Sequence, residues 1–243
     1  MTERVYFDIG RLIAEMPELG SGQITHEVQG WLASANALVK SRCTLAEALQ
    51  LKVACQNLDG PLRIRNAEII TSILRRTLAK AEANAPRELR GSIILLGGSF
   101  EAYKGMQKFL AAATSDALLI DSGADGKVLA DYAILAPERV TVRILADEAH
   151  YGASLAAGAL RWQQRLGNTR HLIVRLAPAN LLQERLVFLD GARAWVLGAP
   201  FSELAKRTYT ALMRMRPEDE ARKLAVYSEI WEEAEPLSPR SLE

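Results

Sequence analysis

The sequence predicts an α/β fold, a mixed sheet flanked by helices, preceded by an all-α region. Three observations predict it. Up to Ala85-Pro86 the apolar residues recur at helical spacing; from Ser92 onward short apolar runs alternate with helical patterns; and late in the chain Asp190-Gly191 separates two apolar runs as a hairpin turn would. The expected division is a helical N-terminal domain over 1–86 and an α/β domain with a C-terminal helix over 87–243. At 243 residues, 49% hydrophobic and 24% charged, the chain has the length of one or two domains and can bury a sizeable core without staples, and its composition excludes disordered and collagen-like classes. No apolar run reaches the roughly 18 residues that span a bilayer, so no membrane insertion is expected. No secretory signal pattern opens the chain, which makes a cytoplasmic location the expectation. A net charge of +1 argues against a protein that coats DNA and leaves room for a local basic site.

The elements follow in order. Val5–Met16 has helical spacing and stops at Pro17. Ile24–Val39 puts Val28, Trp31, Leu32, Ala35 and Leu38 on one face. Thr44 with Glu47 three positions on is a capping box, opening a helix that runs to about Asn57. Leu62–Ala83 forms a longer helix with Ile64, Ala67, Ile70, Leu74 and Leu78 inward. Its other face carries Arg63, Arg65, Arg75, Arg76 and Lys80, a solvated face by default and a phosphate-facing one as the alternative. Strands are then expected over Ser92–Leu96, Ala117–Asp121, Val140–Leu145 and His171–Leu176, separated by helices over Phe100–Ala113, Lys127–Leu135 and Tyr151–Leu166. Arg185–Leu189 and Ala194–Leu197 form the hairpin, and Ser202 caps a short helix through Arg207. Thr208–Met215 is a further strand, Pro217–Glu233 an amphipathic helix, and Pro236–Glu243 a frayed tail.

Metal and nucleophile chemistry find little support. Cys43 and Cys55 sit inside helical patterns as small core residues, and the 3 histidines, His26, His150 and His171, have no paired spacing. No metal and no cofactor are expected. Gly97-Gly98-Ser99 joins a strand to a helix but lacks both the dinucleotide pattern and the P-loop lysine, so it reads as a plain turn. Asp121 and Asp125 follow a buried strand, and either line a ligand crevice at its carboxyl end or cap the next helix. Asp147-Glu148-Ala149-His150 brings an acid and an imidazole together with no adjacent nucleophile, and is read as the cap of the next helix.

The informative stretch is Leu182-Gln183-Glu184-Arg185-Leu186-Val187-Phe188-Leu189-Asp190, then Trp195-Val196-Leu197-Gly198-Ala199-Pro200-Phe201-Ser202-Glu203-Leu204-Ala205-Lys206-Arg207. It resembles the signature of the phospholipase D-like superfamily: His-x-Lys, four residues, Asp, then a short strand ending in Gly-Ser-x-Asn. It is closest in pattern to small bacterial members that carry one motif copy. Arg185 falls on the motif cation, Asp190 on the motif Asp and Gly198 on the motif Gly. Phe201, Leu204, Lys206 and Arg207 follow the small-member pattern. The likeness covers about Gly91 to Met215.

The resemblance implies a fold, and a site that has lost a part. In the family the motif histidine attacks a phosphodiester, the cation and the residue after Gly-Ser hold phosphate oxygens, and the aspartate orients an imidazole. Gln183 stands at the histidine position, and a carboxamide nitrogen is neither basic nor nucleophilic. Ala199 replaces a hydroxyl residue, Ser202 stands for the Asn, and Glu184 adds a negative charge beside the site. What the resemblance leaves is an anion site: Arg185, Gly198, Ser202, Lys206 and Asp121 as ligand-binding residues, and Gln183, Arg185 and Asp190 as motif positions without catalysis. Because single-copy members pair two motifs across a two-fold axis, a homodimer is implied. The expected function is a dimeric binding or regulatory module for a phosphate-containing ligand such as nucleic acid, with the helical domain contacting a protein partner or a nucleic-acid backbone. The rivals are a phosphodiesterase using His171 or His150, and a pure protein-interaction module.

Overall fold

The structure is a computed structural model that describes residues 2–86, 93–96, 98–204 and 210–237. It divides into two compact units, Met1–Ile93 with Thr208–Ala211, and Ile94–Arg207 with Leu212–Glu243.

The first unit is built on four helices, α1 (Thr2–Ala14), α2 (His26–Lys40), α3 (Leu45–Gln56) and α4 (Arg63–Ala83). Thr25 caps α2 by accepting from the Val28 N–H, and Thr44 and Glu47 form the reciprocal box that opens α3. Tyr6, Ile9 and Ile13 of α1, Ala35 and Val39 of α2, Leu51 of α3, and Ile70, Ile73 and Leu74 of α4 are fully buried. The Trp31 indole N–H reaches the Leu12 carbonyl at 2.8 Å and ties α2 to α1.

Two expectations are corrected in this unit. Ile64 is 69% exposed; the buried stripe of α4 starts at Ile70 and runs through Leu74 and Leu78 to Ala81. The first turn of α4 meets polar backbone instead of a helix, because Arg63 donates to the carbonyls of Leu19 (2.7 Å), Ser21 (2.6 Å) and Gly22 (2.5 Å). Lys80 is likewise occupied, pairing with Glu47 at 2.9 Å, so the basic face of α4 is partly spent within its own unit. The cysteines are half-buried rather than core, and Cys43 Sγ lies 3.0 Å from Thr77 Oγ1.

The second unit carries most of an eight-stranded sheet of order β1-β7-β6-β5-β2-β3-β4-β8. Its strands are β1 (Ile93–Leu96), β2 (Asp116–Ile120), β3 (Thr141–Asp147), β4 (Leu172–Ala177), β5 (Leu186–Leu189), β6 (Arg193–Leu197), β7 (Thr210–Arg214) and β8 (Glu235–Pro236). β2, β3 and β4 are parallel, whereas β5, β6, β7 and β8 each run antiparallel to the neighbour they pair with. The sheet is therefore mixed. Alternation along the strands divides two cores. Ala117, Leu119, Val142, Ile144 and Val187 face α5 (Gly98–Leu110) and α6 (Ser154–Leu166), while Leu118, Ile120, Leu145 and Phe188 face α7 (Pro217–Glu233). Trp231 of α7 is covered by Arg143 and Arg175, each 5.0 Å from its ring centre.

The expected helix over Lys127–Leu135 is present, tightening along its length from a π turn, Val128–Tyr132, into a 3-10 turn, Ala133–Leu135. It is pressed against α6. A Cβ on Gly126 would stand 2.9 Å from the Ser154 carbonyl, and one on Gly158 would stand 3.0 Å from Leu129 Cδ1. The expected helix at Ser202 is a single 3-10 turn, Phe201–Glu203, and residues 205–209 lie outside the described residues. Pro236 was expected in a frayed tail, yet Glu235–Pro236 pairs with β4 and the Leu237 N–H reaches the Val174 carbonyl at 3.0 Å. This pairing covers an edge that β4 would otherwise expose; residues 238–243 lie outside the described residues.

Candidate functional site

Strand direction decides what meets. β2 and β3 are parallel and end together, with Ile120 opposite Leu145, and antiparallel β5 begins beside them, with Leu186 opposite Ile120. The residues just after β2, at the end of β3 and just before β5 therefore share one end of the sheet. These are Asp121, Asp147 and Arg185.

Asp121 is 1% exposed. Its Oδ1 accepts from the Gly123 N–H at 3.1 Å and its Oδ2 from the Phe201 N–H at 2.9 Å. Burial pushes its carboxyl pKa up, with the Phe201 N–H and the Arg185 charge pulling against that shift. Arg185 Nε stands 3.7 Å from Asp121 Oδ1, too far for a hydrogen bond. It is buried and has no hydrogen-bond partner among the described residues. About a third of the Arg185 side chain is exposed, and no hydrogen bond joins its terminal nitrogens to another described residue. A buried donor left without an acceptor costs about 1–3 kcal/mol, so such a group marks a position where a ligand oxygen would be favoured.

The other sequence-predicted positions divide around this pair. Gln183 is exposed at the approach to β5. Gly198 forms the bend after β6, Ala199 is fully buried, and Ser202 is half-buried in the 3-10 turn next to the Phe201 N–H that binds Asp121. Lys206 and Arg207 lie outside the described residues. Glu184 was expected beside the site, but it turns to α7, where it accepts from Lys223 and, at 3.2 Å, from the Tyr227 hydroxyl. Burial and this carboxylate both push the Tyr227 pKa up. Asp125 is a cap: its Oδ1 accepts from the Lys127 N–H at 2.9 Å. Asp121 is the member of that pair that stands against Arg185 at the end of the sheet.

Asp190 is at the far end of β5. With Gly191 it forms a left-handed turn, φ 55° and 62°. Its Oδ1 accepts from the N–H groups of Thr114, Ser115 and Asp116 at 2.8, 2.8 and 3.3 Å, and its Oδ2 from Arg193 at 2.7 Å. Burial alone would raise its pKa, but these donors outweigh it and hold the carboxyl well below the ordinary range. At about 3.3 Å per residue, Asp190 is roughly 16 Å from Arg185 along the strand. It orients no side chain at the crevice and serves the turn. His171 is also remote: its carbonyl accepts from Val142 N at the start of β3. It lines a cavity of about 310 Å³ with Trp162, Arg170 and Leu237.

The imidazole of His150 lies at the same end of the sheet as Arg185, on the loop after β3. Asp147, fully buried, accepts from the Ala149 N–H (2.9 Å) and His150 Nδ1 (3.0 Å) through Oδ1, and from the Leu182 N–H (3.4 Å) through Oδ2. Burial opposes its ionisation, yet the bonds from Asn180, His150, Ala149 and Leu182 hold its pKa low. The expected helix cap is corrected: Asp147 closes its own turn, and α6 starts later, at Ser154. The signal was the Asp-x-x-His spacing at the end of a strand. Among the described residues no group of three potential ligands could hold a metal ion, and no helix is long and apolar enough to cross a membrane.

No family model matches the chain, and no curated protein matches it. Solved structures similar to it include NucT from Helicobacter pylori, with 14% identity over 59% of this chain and 98% of that one, at a TM-score of 0.43. TrmBL2, an archaeal chromatin protein with a novel mode of DNA binding, shares 14% identity over 86% and 83%, at 0.41. Phosphatidylserine synthase of Haemophilus influenzae Rd KW20 shares 16% identity over 76% and 50%, at 0.40.

Proposed function

We propose that the second unit is a phospholipase D-like domain that has lost its attacking imidazole and binds a phosphate-containing ligand at Arg185 without cleaving it. The observation that carries this reading is an exposed Gln183 two residues from Arg185, whose buried Nε has an ion-pair neighbour in Asp121 but no hydrogen-bond acceptor among the described residues, at the carboxyl ends of parallel strands, where α/β sheets place their ligands. Arg185 supplies a permanent charge and a planar fork of donors suited to phosphate oxygens. In the sequence Gly198 and Ser202 stand on either side of Phe201, whose N–H binds Asp121, and Lys206 is a further cation of the motif. Asp121 faces the guanidinium at 3.7 Å, and both its oxygens are already held by backbone N–H groups.

A homodimer belongs to the proposal, since one motif copy makes half of such a cleft; sedimentation of the full chain tests it, with a monomer counting against it. The direct test is titration with a short single-stranded oligonucleotide at several salt concentrations. Wild type is expected to bind, and Arg185→Ala to bind about tenfold more weakly with the salt slope reduced by about one. Unchanged affinity and slope would remove Arg185 from the account. A phosphodiester reporter, with and without chelator, is expected to show no turnover. Turnover abolished by His150→Ala would replace the binding module with an enzyme.

A further inference from the structure

Two strand ends at this end of the sheet carry the same device: a buried carboxylate held by backbone N–H groups, with a cationic or titratable side chain set against it. At β2 the pair is Asp121 and Arg185; at β3 it is Asp147 and His150. The loops that bear them touch. The Asp147 N–H reaches the Ser122 carbonyl at 3.3 Å, the Gly152 N–H reaches the Ala124 carbonyl at 2.9 Å, and a Cβ on Gly123 would stand 4.0 Å from both Asp121 Oδ1 and the His150 carbonyl. The Leu182 N–H, one residue before Gln183, bonds to the carboxylate that holds His150.

We infer that His150 is a second anion-binding residue of the Arg185 crevice, donating from Nε2 to the ligand phosphate when its ring is protonated. The inference rests on the proposed binding function and adds a residue outside the motif to it. Asp147 is fully buried while the His150 side chain is 54% exposed, so the pair is anchored at one nitrogen and open at the other. With Nδ1 committed to Asp147, the only ring nitrogen left for a ligand is Nε2. In the neutral ring Nε2 carries a lone pair that repels a phosphate oxygen; in the charged ring it carries the proton that binds one. The charged groups around it are Asp147 and Glu148 on its own loop, Asp121 and Asp125 on the neighbouring one, and Glu184 and Arg185 before β5. Asp125 is spent on the Lys127 N–H, and Glu184 on Lys223 and Tyr227. That leaves the imidazole and the guanidinium as the cations open to a ligand among these residues.

An oligothymidylate tests this, because its phosphodiesters and bases keep their charge between about pH 5 and pH 8, where histidine titrates. Wild type is expected to bind about tenfold more tightly at the acid end of that range, a charge-assisted hydrogen bond being gained. His150→Ala and His150→Gln are expected to bind equally at both ends, at the weaker wild-type level. The imidazole signals of His150 are expected to shift on titration of the wild-type protein. A pH dependence that survives in both His150 variants, or is missing from wild type, overturns the inference. If Arg185→Ala abolishes binding while His150→Ala changes nothing, the inference falls and the binding function stands. If wild type binds no oligothymidylate at any pH, both fall.

Discussion

The two ends of β5 each hold an aspartate and an arginine, and they are arranged oppositely. At the Asp190 end every partner is met: three backbone N–H groups and Arg193 converge on one carboxylate. At the Asp121 end the carboxylate takes two backbone N–H groups, and the arginine stands 3.7 Å from it with a buried Nε–H that makes no hydrogen bond among the described residues. A polar cluster that satisfies itself stabilises a fold; one that leaves a donor unsatisfied costs stability and is poised for something from outside. Asp190 thus serves the fold, and Arg185 is the residue to which the proposed function assigns the ligand.

Substitutions at the two ends should separate accordingly. Asp190→Ala strands three N–H groups and places a less tolerant residue at φ 55°, so urea unfolding should show a loss of about 2–4 kcal/mol. Its oligonucleotide affinity, measured on the folded fraction, should be unchanged. Arg185→Ala should do the reverse, losing about tenfold in affinity and less than about 1 kcal/mol in stability. If Arg185→Ala proves the more destabilising of the two, the contrast between the ends is wrong.

The pH dependence sharpens the same contrast. Asp121 has its folded pKa raised by burial, so the folded state holds its proton more tightly than the unfolded chain does. Stability from this group is greatest at low pH and falls as pH rises from about 4 through the folded pKa. Asp121→Asn should flatten that decline in urea midpoints. Asp190 has its folded pKa lowered, so its contribution is present above about 4 and is lost as pH falls.

The smallest effect lies in the helical unit. The Lys80 bond, then the Thr44 backbone and hydroxyl bonds, hold the Glu47 carboxyl down from 4.5 to about 2. Its contribution is whole above 4.5 and is lost as pH falls toward 2, and Glu47→Gln should remove the slope of thermal stability across that window alone.

What was legible in the sequence was what local chemistry fixes. Thr44 and Glu47 formed the expected box, Asp190-Gly191 the expected turn, and the helix expected at Pro217–Glu233 has those bounds. Ile64 was misread because spacing reports a face, not what lies opposite it; Arg63 had brought a polar loop there. The Phe201 N–H on Asp121 joins residues 80 positions apart, and no pattern along the chain announces such a bond. Asp147 and His150 were visible as neighbours, but their position at the same end of the sheet as Arg185, with β2 between, follows from the antiparallel insertion of β5 next to β2.

The account turns on where an anion settles. A crystal structure of the full chain grown with tungstate, an anomalously scattering phosphate mimic, tests it most directly. The account predicts the ion on the terminal nitrogens of Arg185, beside Gln183 and the Phe201 turn. Tungstate seated only elsewhere, with the Arg185 crevice closed or empty, would contradict it.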